Sequence, residues 1–426
     1  MNGKMTAVTE FETVENDIYR NVGKVFLTLR DLFIIVTLLF FLLRMDSFLF
    51  LRGMLPVPPI YLMAAWVFAI GVLGMLSTMF ERNYIGSIYR CLPILLPFIA
   101  IVAISWIGIF AEQAYYFDNY KYLLMPTLDF GLFVTGILIG TMRMRKGVLS
   151  TCMAVALVVI IATSFIDIVY PGTFSKVANR AAGIFENPGG AAFNMVFLTA
   201  VLLRWEKKAL NIPDLLLFVI CGVAVFFTFS RGGAVQFIAL AALYWMNMTT
   251  RHRFYAVIQF LIVVVLLAAG VFYILPDYIS QLKILEYNSD RLGWFLGNVG
   301  GAFTTKDDRV VLFWEAAGII SANPLTGVGT GFVGSMNPGP HNVFLARWIE
   351  NGIFGLLAFV WLLASLFFMN KFTGNFNGVA ALMIVFLYGL SSHIVMDDRV
   401  ILLVMAIITS RAIANRASQK AKPDKA

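Results

Sequence analysis

The chain has 426 residues, 60% of them hydrophobic and 13% charged, with 39 Phe, 8 Trp and 15 Tyr. Charge-poor apolar stretches recur from end to end, which excludes a soluble globular protein and defines a polytopic membrane protein. The formal net charge of +8 would direct a soluble protein to nucleic acid, but here Lys and Arg gather in short connectors and read as topology signals.

Residues 1–30 are polar and mixed in charge, with Glu10, Glu12, Glu15, Asp17, Arg20, Lys24 and Arg30. They lack a short apolar core followed by a small-residue cleavage site, so a cytoplasmic segment is expected and not a cleaved signal peptide. Twelve apolar spans follow, near 31–50, 59–80, 91–111, 121–141, 148–170, 189–204, 212–229, 233–250, 254–275, 342–369, 376–393 and 399–414. Each has roughly the length needed to cross about 30 Å of hydrocarbon. The expected partition is a segment 1–30, nine spans within 31–275, a loop 276–341, three spans within 342–414 and a basic tail 415–426.

Alternate connectors carry Arg82 and Arg90; Arg143, Arg145 and Lys146; Arg204, Lys207 and Lys208; Arg251 and Arg253; Lys371; and a tail with Arg411, Arg416, Lys420, Lys422 and Lys425. That side is expected to be cytoplasmic, with both termini. Cys91, Cys152 and Cys221 are isolated in apolar spans and point to neither a disulfide framework nor a thiolate metal site. The opposite side receives Arg52, the short turn at Arg231 and the long loop. Within that loop, 308–321 reads as a helix, with Val310, Phe313, Trp314, Ala317 and Ile320 at helical spacing and Asp308 as its cap. The glycine-rich stretch 327–334 is read as a flexible turn and not as a dinucleotide loop, because no strand precedes it.

Charges inside spans cost on the order of 3 kcal/mol each, so they should face protein or water. Arg44 with Asp46 reads as a structural pair; Asp129 and His393 fit either packing or a ligand role. His341, between Pro340 and Asn342 where the long loop meets the tenth span, is the best candidate for proton exchange near neutral pH, with a capping loop as the plainer alternative.

Arg180, Arg231 and Arg309 all fall on the outer side. Taken singly, each fits lipid-headgroup anchoring. Together they suit the two adjacent anionic groups of a lipid-linked diphosphate, and they would stabilise it as a leaving group. His341 could then accept the proton of an acceptor hydroxyl. No HExxH, Cys/His cluster or Asp-x-Asp pair occurs, so the expected chemistry needs neither metal nor cofactor.

Ser230-Arg231-Gly232 after a span, Asp308-Arg309 opening a helix that continues to Asn323-Pro324 and Gly327-Val-Gly329, and Pro340-His341-Asn342-Val-Phe-Leu345 through Glu350-Asn-Gly352 resemble the O-antigen ligase and polymerase superfamily. Arg180 to Pro188 resembles that family's upstream element, although Gly189 stands where another Asn is common. The resemblance implies an all-α, GT-C-like transferase of the bacterial inner membrane, metal-independent and inverting, acting at the periplasmic face. Its donor would be an undecaprenyl-diphosphate-linked glycan and its acceptor lipid A core oligosaccharide, or another lipid-linked repeat unit in a polymerase. It further implies that Arg231 and Arg309 bind pyrophosphate, that His341 is catalytic with Asn342 in support, and that Asp397 contributes, with Asp398 fitting nearly as well. A transporter or flippase of a lipid-linked anion, and a purely structural subunit of an envelope-polysaccharide complex, are the readings from other classes.

Overall fold

The computed structural model describes residues 3–81, 84–108, 120–145, 147–175, 180–185, 187–205, 212–247, 308–336 and 339–420, with no strand among them. Hydrocarbon offers no partner to a backbone N–H or C=O, so apolar stretches of this length close their hydrogen bonds internally as helices. In chain order these are α1 (Gly3–Leu42), α2 (Met45–Leu51), α3 (Pro59–Phe80), α4 (Tyr84–Tyr89), α5 (Leu92–Ile107), α6 (Tyr120–Thr141), α7 (Val148–Val169), α8 (Pro188–Leu202), α9 (Ile212–Phe227), α10 (Arg231–Met246), α11 (Asp308–Ala322), α12 (Val343–Thr373), α13 (Phe376–Gly389) and α14 (Arg399–Lys420). Among the described residues, 6 helices are long and apolar enough to cross a membrane and five shorter helices are apolar. The chain is an all-α polytopic membrane protein. The ninth expected span, 254–275, lies outside the described residues.

The polar N-terminal segment and the first span form one helix: α1 runs unbroken from Gly3, with its apolar stretch beginning at Asn21. It ends at Leu42, not at residue 50, because Arg44 turns left-handed (φ 51) before α2. The expected Arg44–Asp46 pair does not form. Asp46 is fully buried and pairs with Arg399 at the start of α14, while Arg44 lies over the Phe185 ring, 5.6 Å from its centroid. A buried carboxylate is most stable against a cation that is itself held in place, and Arg399, on another helix, meets that need better than a near neighbour in sequence.

Polar clamps fix the opposite membrane face. Buried Arg30 pairs with Glu81 and Asp31 and donates to Ser77 Oγ (3.1 Å) and to the Arg143 carbonyl (3.1 Å). Arg204 meets Asp214 at 3.0 Å, and the Tyr244 hydroxyl donates to the same carboxylate at 3.2 Å. Asn377 Nδ2 donates to the carbonyls of Val201 (2.6 Å) and Leu203 (2.8 Å), satisfying the last turn of α8.

Between the faces, α6 and α14 pack backbone to backbone. A Cβ at Gly136 would lie 2.9 Å from the Leu403 carbonyl oxygen, and one at Gly140 would lie 2.6 Å from that of Ile407. Such small-residue seams let dispersion contacts hold helices together where lipid removes the hydrophobic drive.

The tenth expected span is broken. Gly352 (φ 62, ψ −163) divides α12 into 343–351 and 353–373. The break strips the carbonyls at the end of the first piece of their helical donors, and the preceding loop supplies replacements: Val328 N–H donates to Ile349 (2.8 Å) and Gly329 N–H to Glu350 (3.0 Å). Gly331 N–H donates to Glu350 Oε1 (3.1 Å), and Thr330 Oγ1 donates to Asn351 Oδ1 (2.9 Å). The glycine-rich stretch is therefore a loop tied to α12 by hydrogen bonds, and not the free turn expected. Helix α11 forms as expected. Leu312, Ala316 and Ile320 face the protein with Val328, Val333 and Ile349, whereas Phe313 and Trp314 are exposed.

The seam generates the first prediction. Gly140→Ala should cost about 1–3 kcal/mol through overpacking, read as a lower melting temperature in detergent. Gly71→Ala, where the added Cβ meets nothing within 4 Å, should leave it unchanged; equal melting of the two variants would remove the seam's importance.

Candidate functional site

The site is built where four helices begin at one membrane face. Asp167, near the end of α7, is buried. Its carboxylate accepts from the backbone N–H of Phe174 (2.7 Å), Ser175 (3.0 Å) and Gly183 (2.9 Å). Three backbone donors gathered on one carboxylate set the course of the loop that carries Arg180. From the other side, Arg52 Nη2 donates to the carbonyls of Thr173 and Phe174, both at 2.8 Å.

Arg180 in turn reaches the end of α9. Its Nε donates to the Thr228 carbonyl (3.1 Å) and its Nη2 to that of Phe229 (3.4 Å), while Ala181 N–H donates to Phe227 (3.3 Å). A cation on unpartnered carbonyls at a helix C-terminus satisfies both hydrogen bonding and the helix dipole. Arg180, expected as a direct diphosphate ligand, is thus engaged in holding the turn before Arg231. In that turn buried Phe229 takes a left-handed conformation (φ 48), which reverses the chain between α9 and α10. Ser230 then caps α10, its Oγ accepting from Gly233 N–H at 3.1 Å.

Arg231 is consequently the first residue of α10, where unpaired N–H groups and the dipole favour an anion. The start of α8 lies alongside. Its cap Asn187 accepts from Gly189 N–H (2.9 Å), and a Cβ at Gly189 would lie 3.8 Å from Ser230 Oγ.

Across from α10 runs the turn joining α13 to α14. A Cβ at Gly232 would lie 3.5 Å from Ser391 Oγ, and one at Gly339 would lie 2.9 Å from the His393 ring. His341 faces the same ring, with centroids 5.9 Å apart, so one turn touches both Arg231's helix start and the His341 loop. His341 has a left-handed backbone (φ 49), an uncommon conformation for a non-glycine residue. Asn342 follows as the cap of α12, its Oδ1 accepting from Phe344 N–H (2.9 Å) and Leu345 N–H (3.2 Å). The structure therefore brings His341 and His393 together and sets Arg231 on the other flank of the same turn.

The remaining candidates are Arg309, Asp397 and Asp398. Arg309 lies in the first turn of α11 and Asp397 in the short 3-10 turn 394–397, but both side chains fall outside the described residues. Asp398 is buried and caps α14, accepting from Val400 N–H at 3.0 Å, so its carboxylate already has a structural use. The roles of Arg52 and Arg44 were not legible in sequence because each acts through a partner more than 100 positions away, and that of Asp167 because its acceptor role depends on the path of the loop after α7.

Helix starts, an arginine and a histidine pair thus lie at one face of a helical membrane bundle. Residues 216–360, about a third of the chain, match the family model described as O-antigen ligase. The matched stretch contains Arg231, Arg309, His341 and Asn342; Arg180 and Asp397 lie beyond it. No curated protein matches the chain.

Asp167→Asn should leave at least one of its three N–H donors without an acceptor, at about 1–3 kcal/mol. Hydrogen exchange at Phe174, Ser175 and Gly183 should accelerate while exchange in α6 stays as in the wild type; unchanged exchange in the loop would deny Asp167 its positioning role.

Proposed function

We propose that the protein transfers a glycan from undecaprenyl diphosphate to an acceptor, lipid A core oligosaccharide, without metal and with inversion. The observation that carries this reading is the placement of Arg231 and His341 on either flank of the turn between α13 and α14, both within the segment that matches the O-antigen ligase family model. In it, Arg231 and the start of α10 hold the pyrophosphate, joined by Arg309 from α11, and neutralise charge as the sugar–phosphate bond breaks. Arg180 holds the turn that aims Arg231. His341 accepts the acceptor's proton, with His393 beside it, and Asp397 assists while Asp398 serves the cap.

A long apolar groove supports a polyprenyl donor. Its volume is about 620 Å³, and its walls come from α10, α12 and α13, from Phe344 and Phe386 near the site to Phe368 and Phe376 near the far face. Ten residues of helix between Phe386 and Phe376 span about 15 Å, a run of apolar wall suited to an isoprenoid tail whose diphosphate stays beside His341. In the same reading the twelve spans, GT-C-like layout and five-part partition expected from sequence apply, the loop 276–341 and the site face the periplasm, and the termini lie in the cytoplasm of a bacterial inner membrane.

The transporter alternative calls for charges strung along a path through the spans. Arg30–Glu81 and Arg204–Asp214 pair at one end and Asp46–Arg399 at the other, a distribution that favours chemistry at a face.

The test is transfer from a purified undecaprenyl-diphosphate donor to lipid A–core in EDTA. Wild type should transfer, His341→Ala should lose roughly 10²–10⁴-fold, and Arg231→Ala and Arg309→Ala should lose transfer with normal protein levels. Lengthening of the donor's own glycan in place of transfer would make the protein a polymerase. Neither product, from folded protein with a verified donor, would end the transferase reading.

A further inference from the structure

We propose that the pocket at the membrane face opposite the site binds the phosphate group of an anionic phospholipid headgroup. The pocket has a volume of about 630 Å³, lies between α4, the end of α6 and α14, and presents Arg90, Arg143 and Arg411 with Thr141, Asn415 and Ser418. This assignment stands apart from the transferase reading and uses none of its residues.

The charge in the pocket is unbalanced. Glu81 is the one carboxylate among its described lining residues, and both its oxygens are taken: Oε1 pairs with buried Arg30, and Oε2 accepts the Arg143 N–H at 3.0 Å. Three arginines therefore line a space whose one acid among the described residues is already neutralised. Arg411 adds a second observation. Its Nη1 is shielded from solvent and finds no acceptor among the described residues, although a guanidinium N–H removed from water normally has one. An anion in the pocket would supply it.

Phosphate suits this arrangement because its oxygens match the planar fork of arginine, and basic pockets between transmembrane helices are suited to lipid headgroups. The shape of α4 favours a lipid over a soluble phosphate compound. Gly86, Ser87 and Arg90 line the pocket, whereas Ile85 and Tyr89, one helical turn apart, are exposed on another side. A headgroup in the pocket would thus have its acyl chains beside an apolar rim, as an amphiphile requires.

The experiment uses the full chain, purified in phosphate-free detergent and titrated separately with phosphatidylglycerol, phosphatidylcholine and glycerol phosphate. Melting temperature and lipid retained in native mass spectra are the readouts. Phosphatidylglycerol should raise the melting temperature and remain bound, whereas phosphatidylcholine should do neither. Arg90→Ala with Arg143→Ala, both on exposed side chains, should raise the half-saturating concentration about tenfold or more, equivalent to losing about 1.4 kcal/mol. Arg411→Gln should act in the same direction, and Lys371→Ala, a cation outside the pocket lining, should have no effect. An equal response to glycerol phosphate would support phosphate recognition with a soluble source. The same response to both lipids, or a double variant that binds like wild type, would overturn the proposal.

Discussion

The site depends first on a carboxylate that does no chemistry. Asp167 is buried at the end of α7 and draws three backbone N–H groups of the following loop onto itself. Bonds of this charge-assisted kind are each worth about 1.5–3 kcal/mol. They hold the loop so that Arg180 can reach the carbonyls at the end of α9, and those carbonyls belong to the turn that delivers Arg231 to the start of α10. The order of dependence runs from carboxylate to loop, from loop to arginine, and from that arginine to the residue best placed for an anion.

The two membrane faces solve the same solvation problem differently. At the face opposite the site, two charge pairs close within the bundle, Arg30 with Glu81 and Arg204 with Asp214. At the site face, side-chain oxygens of Asn187, Ser230, Asn342 and Asp398 satisfy the first N–H groups of α8, α10, α12 and α14. Four helix starts with their positive dipole ends outward make that face attractive to anions before any arginine is counted.

Features set by neighbouring residues were legible in the sequence. Apolar length marked the described spans, and 308–321 read as a helix. Partnerships across the fold were not legible. Asp46 chose Arg399, more than 350 positions away, over nearby Arg44, because hydrocarbon rewards the cation that packing already holds. On α11, Phe313 and Trp314 are exposed, since at a membrane surface large apolar side chains can face outward. The break at Gly352 follows Arg347, Glu350 and Asn351, a polar interruption inside the expected span 342–369 that carried the signal in sequence.

The glycine seam between α6 and α14 has a mechanical consequence. From Arg399 to Arg411 is twelve residues of one helix, about 18 Å, and along that length the backbone of α14 is pressed against α6 at Leu403 and Ile407. Two rods in such close register cannot slide or tilt independently without opening a void or forcing a clash, so α14 acts as a strut.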